Sequence, residues 1–167
     1  MADTEKNLQE AFAGESQANR RYLFFADKAE KEGYPQAARL FRAAAEAETV
    51  HAHNHFAAMD GTGSTKDNLL AAVMGEHYEF TRMYPPFIDN AESEGNKRAQ
   101  RTFEYAYEVE QIHHGLFEEA LKAVEAGQEL KDEPYFVCPV CGNTVAGEAS
   151  EKCPICGARG DMFKRVE

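Results

Sequence analysis

Four long stretches of helix-forming sequence each carry one glutamate on the stripe that would face a core. Glu15 follows Leu8, Ala11 and Phe12 by seven, four and three positions, and precedes Ala18 and Tyr22 by three and seven. Glu48 has Phe41, Ala44 and Ala45 at the same preceding offsets, and Glu76 has Leu69, Ala72 and Val73. Glu110 has Phe103, Ala106 and Tyr107 before it and Phe117 seven residues after it. Offsets of three, four and seven lie on one helical face. Each glutamate also falls near mid-length of its segment, so a bundle of the four helices would bring four carboxylates to one level. An unpaired carboxylate in a core is penalised by several kcal/mol, and four at one depth repel one another. No Lys or Arg shares these stripes at the matching height. Bound cations offset such a cluster, and two divalent ions cancel four carboxylates.

The histidines sharpen the reading. "ETVH" places His51 three residues after Glu48, and "EQIH" places His113 three residues after Glu110. One helical turn separates each pair. Two Glu-x-x-His helices plus two Glu helices make the ligand set of a di-iron or di-manganese carboxylate centre inside a bundle. Carboxylate and imidazole ligands suit these metals better than soft, thiophilic ions. His53, His55, His77 and His114 have no such placement and are read as exposed or supporting residues. Glu79 shares the face of Glu76 and is a fifth carboxylate. Two ferric ions carry two more charges than two ferrous ions. Glu79 is therefore expected to join the oxidised site, and neutral His51 to replace it in the reduced one.

The first helix is expected from Asp3 to Lys31, ending at "EGYP", and the second from Pro35 to Met59, ending at "DGTGS". The third starts near Thr65, is expected to be disturbed at Pro85-Pro86, and resumes to Gly95; the fourth spans Asn96 to Ala126. Ala, Glu, Leu, Lys, Arg and Gln fill all four. The fold class is mainly α: a four-helix bundle over 1–130, followed by a small domain over 131–167. That last segment is rich in Gly, Pro and Cys and too short for a self-sufficient apolar core, so a metal must hold it together. All four cysteines lie there, in "CPVCG" and "CPICG", with eleven residues between Cys141 and Cys153. Cys138, Cys141, Cys153 and Cys156 make a tetrahedral four-thiolate site for iron, with zinc as the other candidate. Gly142 and Gly157 follow the second cysteine of each knuckle, where the missing side chain lets backbone amides approach sulfur.

The charge is −11, from 18 Lys plus Arg against 29 Asp plus Glu, which disfavours nucleic acid and anionic membranes as partners. No apolar run is long enough to span a bilayer. "MADTEKNLQEAF" lacks the basic and apolar regions of a secretory signal, so a cytoplasmic location is expected. Paired C-x-x-C motifs in a reducing compartment fit metal binding rather than disulfides.

With these motifs in place, the chain resembles the rubrerythrin family over almost its whole length. "AGESQANRRY", "EAETVHA", "GEHYEFTRMYP" and "EVEQIHH" match the family's helix motifs, and the two knuckles match its iron–sulfur centre. The resemblance implies a ferritin-like bundle with a rubredoxin-like domain, and iron ligands at Glu15, Glu48, Glu76, Glu79, Glu110 and His113. It implies that Glu48 and Glu110 bridge the irons, that His51 exchanges with Glu79, and that Cys138, Cys141, Cys153 and Cys156 hold the mononuclear iron. Tyr22 and Tyr84 match tyrosines close to the site. The implied activity is a peroxidase that reduces hydrogen peroxide to water. Electrons would come through an external NAD(P)H-dependent reductase, since no G-x-G-x-x-G fingerprint is present.

A helix of about 27 residues is about 40 Å long, so a module at the bundle's end is expected to lie far from its own mid-bundle ligands. A homodimer is therefore expected, by head-to-tail placement or by exchange of helices across "DGTGSTKDN". An iron-oxidising, iron-handling protein and a non-enzymatic zinc-ribbon adaptor are the rival readings. Colour separates the last from the others: a thiolate-bound ferric site is red, and a zinc-filled one is colourless.

Overall fold

The computed structural model describes residues 3–167. Its helices are α1 (Asp3–Lys31), α2 (Pro35–Ala58), α3 (Thr65–Tyr78), α4 (Tyr84–Ser93) and α5 (Lys97–Glu125), with a π-helical turn at Glu79–Met83 between α3 and α4. A three-stranded antiparallel sheet follows: β1 (Tyr135–Val137), β2 (Thr144–Ala146) and β3 (Lys164–Val166), in the order β2-β1-β3. No described helix is long and apolar enough to cross a membrane. The chain divides into two compact units, Met1–Gly63 and Ser64–Glu167. This division falls between α2 and α3, and the cysteine-rich segment groups with α3–α5.

The first unit is a helical hairpin. Asp3 and Glu5 open α1, and Lys28 and Lys31 close it, each complementing the helix dipole. Pro35 opens α2, where its missing N–H is not needed. Alanines form the contact: Ala26 and Ala38 are fully buried, Ala29 nearly so, and Phe41 packs against them. Small side chains let the two backbones approach closely. Asn19 then crosses the gap, its Nδ2 donating to the Ala45 carbonyl at 2.7 Å and to Thr49 Oγ1 at 2.9 Å. Phe12 stacks on Phe56 with centroids 4.9 Å apart.

In the second unit, Ser64 and Asp67 cap α3 reciprocally. The helical irregularity falls at residues 79–83 rather than at the prolines where the sequence places it. Pro85 and Pro86 sit in the first turn of α4. Continuing α3 through them would require N–H groups that proline lacks, and the rings would meet the preceding turn. The misfit is taken up one turn earlier, where the Tyr84 N–H bonds to the Glu79 carbonyl. Phe87 and Phe103, with centroids 5.6 Å apart, join α4 to α5.

The cysteine-rich segment buries only Cys138, Asn143 and Cys153, so two of its three buried residues are candidate ligands. The thiolate cluster thus stands where a larger domain has its apolar core. Gly142 faces the buried Val109 of α5. Gly160 presses against the Ser150–Glu151 backbone: a Cβ there would lie 2.1 Å from the Ser150 carbonyl oxygen. Gly160→Ala is therefore expected to destabilise this segment by about 1–3 kcal/mol through overpacking. Thermal loss of the thiolate–iron absorption should shift to lower temperature while helical circular dichroism is retained.

Candidate metal centres

Glu15, Glu48 and His51 come together within the first unit, each offering a ligand atom within 4.8 Å of the others. His51 Nδ1 lies 2.8 Å from Glu48 Oε2, as the i,i+3 spacing dictates. Both glutamates are half-buried and His51 is exposed. The Asn19 bridge from α1 to Ala45 and Thr49 holds the two helices in register beside these groups.

The second unit repeats the arrangement with Glu76, Glu110 and His113, again within 4.8 Å and all half-buried. His113 Nδ1 is 2.7 Å from Glu110 Oε2. Burial, and then the neighbouring charge of Glu110, pushes the Glu76 carboxyl up to about 7. Burial and the charge of Glu79 raise Glu110 as well. Glu79 opens the π turn and lies outside the three-ligand group, yet its charge acts on both glutamates and on Tyr84. Single π turns inside α-helices recur at functional sites because they re-aim side chains. Tyr84 is raised by burial and then by Glu79, Glu110 and Glu76, which locates it beside the carboxylates. Tyr22 instead packs against Phe25 and Phe41.

Among the described residues no Lys or Arg forms an ion pair with Glu15, Glu48, Glu76, Glu79 or Glu110; Glu48 and Glu110 pair only with their own histidines. Hard oxygen donors with one imidazole each, lacking protein cations, fit iron or manganese in both units. Among the described residues His53 and His55 join no ligand group. His77 and His114 form an aromatic cluster with Phe80, at centroid separations of 5.3 to 5.6 Å.

The four cysteines gather as a third group. Cys138 Sγ and Cys156 Sγ are 3.5 Å apart, as are Cys141 Sγ and Cys153 Sγ. A disulfide needs about 2.05 Å. A tetrahedral metal with metal–sulfur distances of about 2.3 Å puts its sulfurs about 3.8 Å apart. The spacing fits a metal. The two knuckles are alike: Gly142 at φ +87° and Gly157 at φ +77° each donate N–H to the first cysteine's carbonyl at 3.0 Å. Burial opposes ionisation of Cys141, Cys153 and Cys156, and it raises Cys141 and Cys156. At Cys153 the backbone amides of Cys156 and Ile155 outweigh burial and bring the thiol down to about 7. Asn143, buried behind the cluster, donates from Nδ2 to Cys153 Sγ at 3.7 Å.

The sequence does not foretell Asn143 or Thr144 as supports. Thr144 Oγ1 lies 2.9 Å from His113 Nε2. The module therefore lies against a candidate ligand of its own chain, whereas the length of the helices led us to expect it far away. No helical or knuckle spacing links residues 113 and 144; the contact comes from the packing of β2 on α5.

Known proteins resemble this chain across both its helical and its cysteine-rich parts. The family described as Rubrerythrin matches residues 6–121, and the rubredoxin-like domain of rubrerythrin matches residues 136–164. Rubrerythrin-2 of Clostridium acetobutylicum is 38% identical, covering 98% of this chain and 96% of that protein. A rubrerythrin of Porphyromonas gingivalis is 40% identical, covering 98% and 90%. The fully reduced, all-ferrous structure of nigerythrin superposes with a TM-score of 0.59 at 35% identity, covering 99% of this chain and 88% of that one.

The raised Glu76 carboxyl has a pH consequence. Its folded value of about 7 exceeds the ordinary 4.5, so the metal-free folded chain holds a proton that the unfolded chain releases. The associated stability is complete below about pH 4.5 and is lost as pH rises through about 7. Urea midpoints of chelator-treated protein should fall over that window. Ferrous ion should flatten the slope, because the metal takes the proton's place.

Proposed function

The chain belongs to the rubrerythrin family of di-iron proteins with a rubredoxin-like domain, and on that premise we propose that it is a peroxidase reducing hydrogen peroxide to water. The supporting observation is the presence, in one chain, of paired carboxylate–imidazole sets and a four-thiolate cluster. Iron storage has no use for the thiolate cluster. Electron delivery to a redox centre does.

In this reading Glu15, Glu48, Glu76, Glu79, Glu110 and His113 would hold two irons, the carboxylates of Glu48 and Glu110 would serve both, and His51 would stand in for Glu79 in the reduced form. Iron, when bound, supplies the two electrons that convert hydrogen peroxide and two protons into two waters. The protein's part is to hold, orient and protonate. Burial raises the Glu76 and Glu110 carboxyls in the metal-free chain, and metal binding displaces the proton that Glu76 otherwise holds. The Tyr84 hydroxyl stays protonated beside them, kept so by burial and their charges, and is a donor to peroxide oxygen. Glu79 opens the π turn and stands outside regular α-helical register. The four cysteines hold the iron that receives electrons from an external NAD(P)H-dependent reductase.

The working form proposed is a homodimer in the cytoplasm. A single chain leaves Phe24 (67%), Leu40 (69%), Val50 (57%) and Met74 (65%) exposed, apolar side chains that a second copy would cover. Light scattering should give twice the chain mass of 18.7 kDa. Monomeric protein with full peroxide turnover would exclude the dimer.

Peroxide consumption driven by a reductase should be catalytic in the iron-loaded chain, without iron accumulating beyond three per chain. Glu110→Ala removes a carboxylate and leaves His113 without its partner. Turnover should fall by more than about 100-fold, beyond what loss of a supporting residue costs. The red thiolate–iron spectrum should persist. Unchanged turnover would overturn the assignment.

A further inference from the structure

The hydroxyl of Thr144 touches two groups with different requirements. Thr144 Oγ1 is 3.1 Å from the Gly142 carbonyl oxygen and 2.9 Å from His113 Nε2. A carbonyl only accepts, so the single hydroxyl hydrogen is committed to Gly142. Both contacts hold only if His113 Nε2 carries the ring hydrogen and donates to Thr144. In the neutral ring that metal ligation requires, this leaves Nδ1 with its lone pair for the metal, on the side where Glu110 Oε2 lies 2.7 Å away.

The hydroxyl is held firmly. Thr144 opens β2 and pairs with Val137 of β1, next to Cys138. Asn143, the residue before it, is buried, and the Asn143 carbonyl accepts from the Cys138 N–H at 2.9 Å. Gly142 donates to the Cys138 carbonyl at 3.0 Å. Thr144 also lines a cleft of about 500 Å³ together with Glu76, His113 and Tyr135.

We infer that Thr144 is a positioning residue for the carboxylate–imidazole site: it fixes His113 as the Nε2–H tautomer, presents Nδ1 to the metal, and ties that ligand to the four-cysteine knuckle of the same chain. The inference rests on the di-iron reading above and deepens it. Hydrogen bonding of the distal ring nitrogen is the general means of setting the tautomer and orientation of a ligating histidine. Here the means is a side chain from the other metal-binding segment, so the conformation of the Cys138–Gly142 knuckle bears on His113.

The test uses the full chain with Thr144→Val, which keeps the shape and removes the hydroxyl, and Thr144→Ser, which keeps the hydroxyl. In zinc-loaded, nitrogen-15-labelled protein, His113 should show the Nε2–H tautomer with a slowly exchanging proton, and Thr144→Val should lose that protection. Ferrous-ion affinity at the carboxylate site, read by chelator competition, should fall about 10- to 100-fold in Thr144→Val and stay within about threefold of wild type in Thr144→Ser. The thiolate–iron absorption reports that the module is folded in both variants. Wild-type affinity in Thr144→Val with an intact thiolate spectrum would overturn the inference. So would an Nδ1–H tautomer in the wild-type chain, or a Thr144→Ser defect as large as that of Thr144→Val. None of these readouts depends on peroxide turnover, so failure here and failure of the peroxidase reading are told apart.

Discussion

Carboxylates held together away from water need cations, and most of this molecule is arranged around that requirement. Burial raises Glu76 and Glu110, the charge of Glu110 adds to it at Glu76 and that of Glu79 at both, and among the described residues no Lys or Arg pairs with them. In the first unit Glu15 and Glu48 gather with His51, and among the described residues no Lys or Arg pairs with either. Such glutamates would be poor choices for helix packing alone, where leucine serves better. They are tolerable because metal ions balance their charge. The surrounding side chains follow from the same need. Buried alanines bring α1 and α2 close, and Asn19 sets their register beside the ligands.

The cysteine-rich segment solves a different problem with a related device. It has too few residues for an apolar core, and its buried positions are two cysteines and an asparagine that bonds to one of them. A metal held by four sulfurs replaces the missing hydrophobic contacts. The segment then rests on α5 through Gly142 over Val109 and through Thr144 on His113. Folding of the module and orientation of a carboxylate-site ligand are thereby joined in one packing contact.

The π turn at Glu79–Met83 shows how an awkward local sequence is put to use. Pro85 and Pro86 cannot continue the α3 ladder, and the irregularity they force lies one turn upstream. There it frees Glu79 from regular α-helical register beside Glu76, Glu110 and Tyr84. A fifth carboxylate beside the other ligands suits a centre whose positive charge changes with oxidation state.

Much of this was legible from spacing. The three- and four-residue offsets around Glu15, Glu48, Glu76 and Glu110, the Glu-x-x-His pairs and the two knuckles are local patterns. Helix geometry and loop geometry convert them directly into shared faces and convergent ligands, because the relevant atoms are within a few residues of one another. Ligand chemistry, the existence and near-exact ends of the long helices, and the metal-dependence of the small module were therefore determined by the sequence alone. Tertiary structure decided what depends on remote segments meeting. It paired α1 with α2 and α3 with α5, moved the helical irregularity from Pro85 back to Glu79, buried Asn143 behind Cys153, and set Thr144 against His113. Those outcomes rest on side-chain packing across tens of residues, and a one-dimensional period carries no record of which distant face it will meet.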